Sequence, residues 1–358
     1  VSITKKATIL AVGLGLVTLS ACGSSGGGGE SGDSRTVTLV SHDSWAASKE
    51  VIAAFEKESG YRVRVLKDGD AGQAVNKAIL TKDNPQGDVL FGVDNTLLSR
   101  ALDNGLFQPY EAKDADRVRP EYRADQDRHR VTPVDTGDIC VNYDKEWFSE
   151  HKLTPPASFD DLIEPRYKNL LVTENAATSS PGLGFLLGTA ARYGDGWPEY
   201  WKKLKANGVK VVDGWEQAYN EEFSGSAAGR KAKADRPLVV SYASSPPAEV
   251  IYADPRPDTA PTGIAPGTCF RQVEYAGLLN NARNPEGGKA LLDFLIGKRF
   301  QDDMPLNMFV YPVRDDAKVP ADFARFGPQA ENPQTMDPDE IAGHRDEWVK
   351  SWTSLVLK

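Results

Sequence analysis

TVTLVSHDSWAASKEVIAAFEKESGYRVRVLKDGD, residues 36–70, decides the reading of the fold. Thr36 to Val40 is a short β-rich run, Lys49 to Glu58 carries Val51, Ile52 and Phe55 at helical spacing, and Tyr61 to Leu66 alternates like a strand. Strand, helix and strand in that order predict a parallel pair joined by a crossover. The pattern continues with a helix over Ala74 to Leu80, a third strand over Asp88 to Val93 and a helix over Asn95 to Asn104. Ligands of such sheets bind beyond the C-terminal strand ends, which places a crevice at Ser41 to Ser44, Asp68-Gly69 and Asp94-Asn95.

The middle of the chain repeats this grammar. Ile139 to Tyr143, Leu170 to Thr173, Val209 to Val212 and Leu238 to Tyr242 read as strands, with helices over Gly182 to Tyr193 and Trp215 to Phe223. Two similar α/β lobes follow. Gly288 to Ile296 and Ile341 to Leu355 read as helices, with Val310 to Val313 between them.

Ahead of this body, Lys5 and Lys6 precede the uncharged, mostly apolar run Ala7 to Leu19, the pattern of a secretory signal and too short for a comfortable membrane span. Leu19-Ser20-Ala21-Cys22 resembles the lipobox of bacterial lipoproteins. On that reading residues 1–21 are a signal peptide and Cys22 is the lipid acceptor. Residues 22–34 are then a flexible Gly/Ser tether holding the body at the outer face of the cytoplasmic membrane, at the cell surface or in the periplasm. Export leaves Cys140 and Cys269, and an even pair in an oxidising compartment points to a disulfide rather than two free thiols.

Composition excludes some functions. With 40% hydrophobic and 26% charged residues the body is an ordinary globular one. A net charge of −9 makes nucleic acid a poor partner and suits a cationic ligand. His42, His129, His151 and His344 are scattered, no HExxH or GxxxxGK pattern occurs, and no GxSxG elbow lies in the globular body, so neither a metal centre nor a familiar catalytic signature is written there.

Three patterns suggest binding instead. Residues 177–184, ATSSPGLG, enter a helix with hydroxyls and free backbone N–H groups, which serves either an anion site or plain capping with Pro181 in the first turn. Tyr242-Ala243-Ser244-Ser245-Pro246 repeats that arrangement after another strand. Trp215 and Tyr219 share one helical face, as core or as a cage. An indole in the first turn past a strand end can hold a cation on its π-face, with Tyr242 and Phe309 as further walls. Asp68, Asp94 and Asp135 sit at strand ends, where each either pairs with a cation or caps a turn.

The order of these blocks closely resembles the thiamine-binding proteins that serve ATP-driven uptake transporters. The resemblance runs through SHDSWAA (41–47), KDG (67–69), DVLFGVDNTLL (88–98), VDTGDICVNYDK (134–145), TSSPGLGFLL (178–187), DGWEQAY (213–219), LVVSYASSP (238–246) and FVYPV (309–313). It implies an α/β, two-lobed periplasmic-binding fold of type II, each lobe a mostly parallel sheet with flanking helices, closing on its ligand by a hinge. Lobe one would comprise residues 35–138 and 270–312, and lobe two residues 139–269 and 313–358, with Cys140 and Cys269 in or near the two crossovers. By motif, Trp215 and Tyr242 match aromatic positions around the ligand, Asp68 and Gly69 a binding turn, and Ser179, Ser180 and Gly182 a loop that receives phosphate. His42, Asp135, Tyr219, Ser244 and Phe309 complete the expected ligand set. His42 stands where the family has tyrosine, Phe309 where tryptophan is expected, and Ala248 replaces a tyrosine. The resemblance implies a monomeric, non-enzymatic receptor without a cofactor. It would capture thiamine or a thiamine phosphate and deliver it to an ABC permease and its ATPase. The alternatives are a polyamine receptor and a thiaminase-like enzyme with Cys140 as nucleophile, and a Cys140–Cys269 bond would rule out the second.

Overall fold

Val37 to Ser41 are buried on both faces because β1 (Thr36–Ser41) lies between two parallel neighbours, β2 (Arg62–Lys67) and β3 (Val89–Asp94). The computed structural model describes residues 35–327 and 329–358, so Cys22, the signal segment and the tether lie outside the described residues. The crossover α1 (Lys49–Ser59) begins where Ser48 Oγ accepts from the Val51 amide and ends at Gly60 in the left-handed region (φ 75°). Its Val51 and Phe55 are buried. α2 (Ala71–Leu80) starts at Asp70 with a reciprocal capping box to Gln73. The helix expected at residue 95 begins later, as α3 (Leu98–Asp103), because Asp94 first turns the chain by accepting from the Thr96 and Leu97 amides.

The second half contains β4 (Thr132–Asp144), β5 (Leu171–Glu174), α4 (Ser180–Tyr193), α5 (Trp197–Ala206), β6 (Lys210–Val212) and β7 (Leu238–Tyr242). β5 runs parallel to both β6 and β7. β8 (Thr262–Leu278), α6 (Pro285–Ile296), β9 (Tyr311–Pro312) and α7 (Pro338–Trp352) follow. Among the described residues the sheet order is β2-β1-β3-β8-β4-β7-β5-β6, with β9 on β4. α4 is buried from Ser180 to Ala190, and Trp352 at the end of α7 meets Trp201 of α5 edge to face at 5.4 Å.

The two long antiparallel strands differ most from the sequence reading. β4 begins at Thr132 rather than Ile139, and β8 was not read as a strand at all. Pro133, Gly137, Gly263, Pro266 and Gly267 read as breakers. Pro133, Gly137 and Gly263 are carried through by pairing across the β4–β8 ladder, while Pro266 and Gly267 lie where its register shifts. β8 pairs with β3 through its C-terminal part and with β4 along most of its length, so β4 and β8 join the two parallel halves. Their register shifts between the pairs Ile139–Phe270 and Val141–Ala265, and there Cys140 is bonded to Cys269. Both cysteines are buried.

Candidate functional site

Segments following β1, β2, β6 and β7, the first turn of α4 and residues 307–310 enclose a cavity of about 530 Å³. One wall is aromatic. After β6 the chain makes a single α-turn at Trp215–Gln217 that widens to a π-turn over Ala218–Glu222. The Trp215 and Tyr219 rings stack at 5.0 Å and 17°. Trp215 Nε1 donates to Ser241 Oγ at 2.9 Å, which fixes the indole, and the Tyr242 ring lies 6.4 Å away at 53°. Gly137 backs Tyr242 so closely that a Cβ there would sit 3.1 Å from the ring. Trp45 also lines the cavity, nearly buried and with an unpartnered Nε1 donor. Phe309 contributes from a left-handed backbone position (φ 55°) and packs on Tyr252 at 5.5 Å.

Most charged groups of the remaining lining are acidic. Asp43, Asp70, Asp213, Glu216 and Glu274 face the cavity, against Lys67 and His42 as basic groups. His42 Nε2 lies 3.4 Å from Glu274 Oε1. Burial disfavours the charged imidazole, but the Glu274 carboxylate outweighs it and holds His42 above its ordinary value. Burial likewise raises the Asp70 and Asp94 carboxyls, against their hydrogen-bond donors. The Tyr242 phenol is pushed well up, by burial first and then by Glu274, Asp70 and Asp94. Such surroundings stabilise a cation.

Asp135 faces Glu274 across the β4–β8 ladder and is fully buried. Burial, then Glu274 and Asp94, pushes its carboxyl well above the usual carboxylate range. An acid whose folded value is raised binds its proton more tightly when folded. Its contribution is therefore complete below the unfolded pKa and is lost as pH rises through the folded value. Asp135→Asn should remove that loss. In urea unfolding series from pH 4 to 8, the variant should gain stability relative to the parent as pH rises, and parallel curves would contradict the assignment.

Direct contacts join the two halves beside the cavity. Asp70 Oδ2 accepts from the Trp215 amide at 2.8 Å, and Ser44 Oγ donates to Glu216 at 3.0 Å. The Gln73 amide donates to the Thr178 carbonyl at 3.1 Å. Gly72 lies so near Thr178 that an added Cβ would come within 2.6 Å of its carbonyl oxygen. Backbone cannot yield as a flexible side chain can, so Gly72→Ala should force these segments apart. It should weaken ligand affinity by about 1–2 kcal/mol, the lower range for overpacking. Calorimetry checks this, with a melting curve to show that the fold persists.

The family model for bacterial extracellular solute-binding proteins matches residues 84–331. The chain belongs to that family. Among relatives of this solute-binding protein is the thiamine-binding periplasmic protein of Salmonella typhimurium, 30% identical over 327 residues that cover 90% of this chain and 94% of the relative. The counterpart with the same description in Escherichia coli is 29% identical over the same shares. A solved structure of a periplasmic thiamin-binding protein superposes with a TM-score of 0.77 at 27% identity, covering 90% of this chain and 96% of the other. The fold is therefore the two-lobed type II periplasmic-binding-protein fold, and the family places the protein outside the cytoplasm as a non-enzymatic transport receptor. No described helix is long and apolar enough to cross a membrane, and no described group of acidic, His and Cys residues is arranged to hold a metal ion.

In this solute-binding protein the cavity brings together His42, Ser180, Trp215, Tyr219, Tyr242 and Phe309 of the residues singled out from sequence. The others lie elsewhere. Asp68 turns away to Lys77 Nζ at 2.5 Å, and Gly69 supplies a carbonyl to the Asp43 amide. Ser179 and Asp135 are buried behind the lining, as is Ser244, which faces a smaller cleft beside Asp138 and Arg271. Gly182 packs on the Glu174 carbonyl, where a Cβ would come within 2.6 Å, so its smallness serves helix packing. Cys140 is bonded and buried, which removes it as a nucleophile. Sequence reasoning missed Asp70, Glu274 and Trp45. The D-x-x-Q capping box at residues 70–73 was a signal for Asp70, and the alternation of Gln272 and Glu274 within an apolar run was one for Glu274.

Proposed function

We propose that this protein is the receptor of an ATP-driven importer and captures thiamine, or a thiamine phosphate, in the cavity between its halves. The observation that carries this reading is the pairing of an aromatic wall, Trp215, Tyr219 and Tyr242, with a lining rich in carboxylates. Thiamine joins a thiazolium cation to an aminopyrimidine. Flat rings suit the indole and phenol faces, the fixed positive charge suits the acidic field, and Glu274 is an acceptor for the amino group. The names of the relatives support the same ligand. Contacts to both halves favour the closed arrangement by differential affinity, and no covalent step is needed. The receptor acts as a monomer without a cofactor, tethered through acylated Cys22 and handing its ligand to a permease and its ATPase.

Calorimetric titration with thiamine, its mono- and diphosphate, and spermidine tests the reading. Saturable binding of a thiamine form, with spermidine silent, is expected. Tight spermidine binding without thiamine binding would replace it with the polyamine reading. Mass spectrometry of the native protein should find residue 22 acylated, and an unmodified cysteine there would remove the tether.

A further inference from the structure

The first turn of α4 has the makings of an anion site, since backbone N–H groups converge there with the dipole of a 14-residue helix. Three amides from separate segments point to one place beside the cavity, those of Ala71, Ser180 and Trp215. All three are taken by a single carboxylate of the chain itself. Asp70 Oδ1 accepts from Ala71 at 2.6 Å and from Ser180 at 3.4 Å, while Oδ2 accepts from Trp215 at 2.8 Å. The backbone is shaped around this side chain, because a Cβ on Gly214 would come within 2.9 Å of Asp70 Oδ2.

Several neighbouring donors are engaged within the chain, while Ser179 Oγ and Trp45 Nε1 have no partner among the described residues. Ser180 Oγ donates to buried Asp94, and Gln272 Nε2 reaches both Asp94 and Ser180, at 2.8 and 2.6 Å. Thr178 Oγ1 donates to the Asp213 carbonyl at 2.7 Å. Lys67, the lysine of the lining, directs one of its three N–H donors to the Asp43 carbonyl at 2.5 Å. A phosphate group arriving at these three amides would find them held by a carboxylate.

We propose that Asp70 is a built-in anion that fills the position a phosphate would need, so that the site selects the unphosphorylated cation over its phosphate esters. This deepens the thiamine reading and rests on it. Two effects act together: a phosphorylated ligand has to displace Asp70 from three amides, and its charge adds to a lining already acidic. Free thiamine needs neither change and gains from the acidic field.

Binding of thiamine, thiamine monophosphate and inorganic phosphate to the parent and to Asp70→Ser decides the matter. Serine keeps a hydroxyl cap on α2 while removing the carboxylate. Where that variant fails to fold, Asp70→Asn, which keeps the shape without the charge, replaces it. The parent should prefer thiamine to the monophosphate by about tenfold or more, and the variant should lose that preference by a similar factor. Millimolar inorganic phosphate should raise the melting temperature of the variant and leave the parent unmoved. A parent that binds the monophosphate as tightly as thiamine, or a variant with an unchanged preference, would overturn the proposal. If the parent binds neither thiamine form, the thiamine reading falls, and the phosphate melts still judge Asp70. Stabilisation of the variant alone upholds the built-in anion, and an equal response or none removes it.

Discussion

Replacing Trp215 by alanine should weaken thiamine binding by about 1–3 kcal/mol, the range for lost stacking plus a partly desolvated cation–π contact. The indole is half-buried, stacked on Tyr219 and tied to Ser241, so it meets a ligand without first paying for its own ordering. Trp215→Phe should fall between, since it keeps a ring and loses the Ser241 bond. Calorimetry gives the affinities, and melting curves separate a lost contact from a disturbed fold. Unchanged affinity in the alanine variant would remove Trp215 from the site.

Loss of the Cys140–Cys269 bond should lower the stability of the body by about 2–4 kcal/mol, the usual range, which lies below the roughly 5 kcal/mol of the chain-entropy account for so long a loop. The bond closes a loop with a sequence separation of 129, and it lies in the two strands that join the halves. Urea unfolding with and without reductant, and of Cys140→Ala/Cys269→Ala, measures the effect. Alanine suits the buried positions better than serine, because an unpaired hydroxyl there would add its own cost. A change below about 1 kcal/mol would mean that the β4–β8 pairing holds the unfolded-state constraint without the bond.

The alternating helices and strands of the first hundred residues were legible because each carries one dominant period, and β1 to β3 form close to where Val37, Val63 and Leu90 place them. β4 and β8 were not, since glycines and prolines inside them spoil local propensity and the pairing comes from a strand more than a hundred residues away. The aromatic wall was readable for the opposite reason: Trp215 and Tyr219 stand four apart, and local helical geometry alone brings them together. The acids were harder. Whether Asp68 or Asp70 faces the cavity depends on a left-handed turn at Gly69, and Glu274 depends on a strand that the sequence disguises. Glu174 shows the same limit from another side. It is wholly buried and its carboxyl is pushed well up by desolvation, yet nothing in Leu171 to Glu174 distinguishes it from an exposed strand end.

The meeting of Gly72 with Thr178 sets how narrow the mouth of the receptor can become. Main chain touches main chain there, so the stop is rigid and acts like the jaw of a caliper. The Gln73 amide already donates to the Thr178 carbonyl at this stop. A solute large enough to part Gly72 from Thr178 should cost that hydrogen bond, so such solutes are expected to bind more weakly. Peptide groups thus limit how closely the two segments approach, while rings and acids line the cavity beside them.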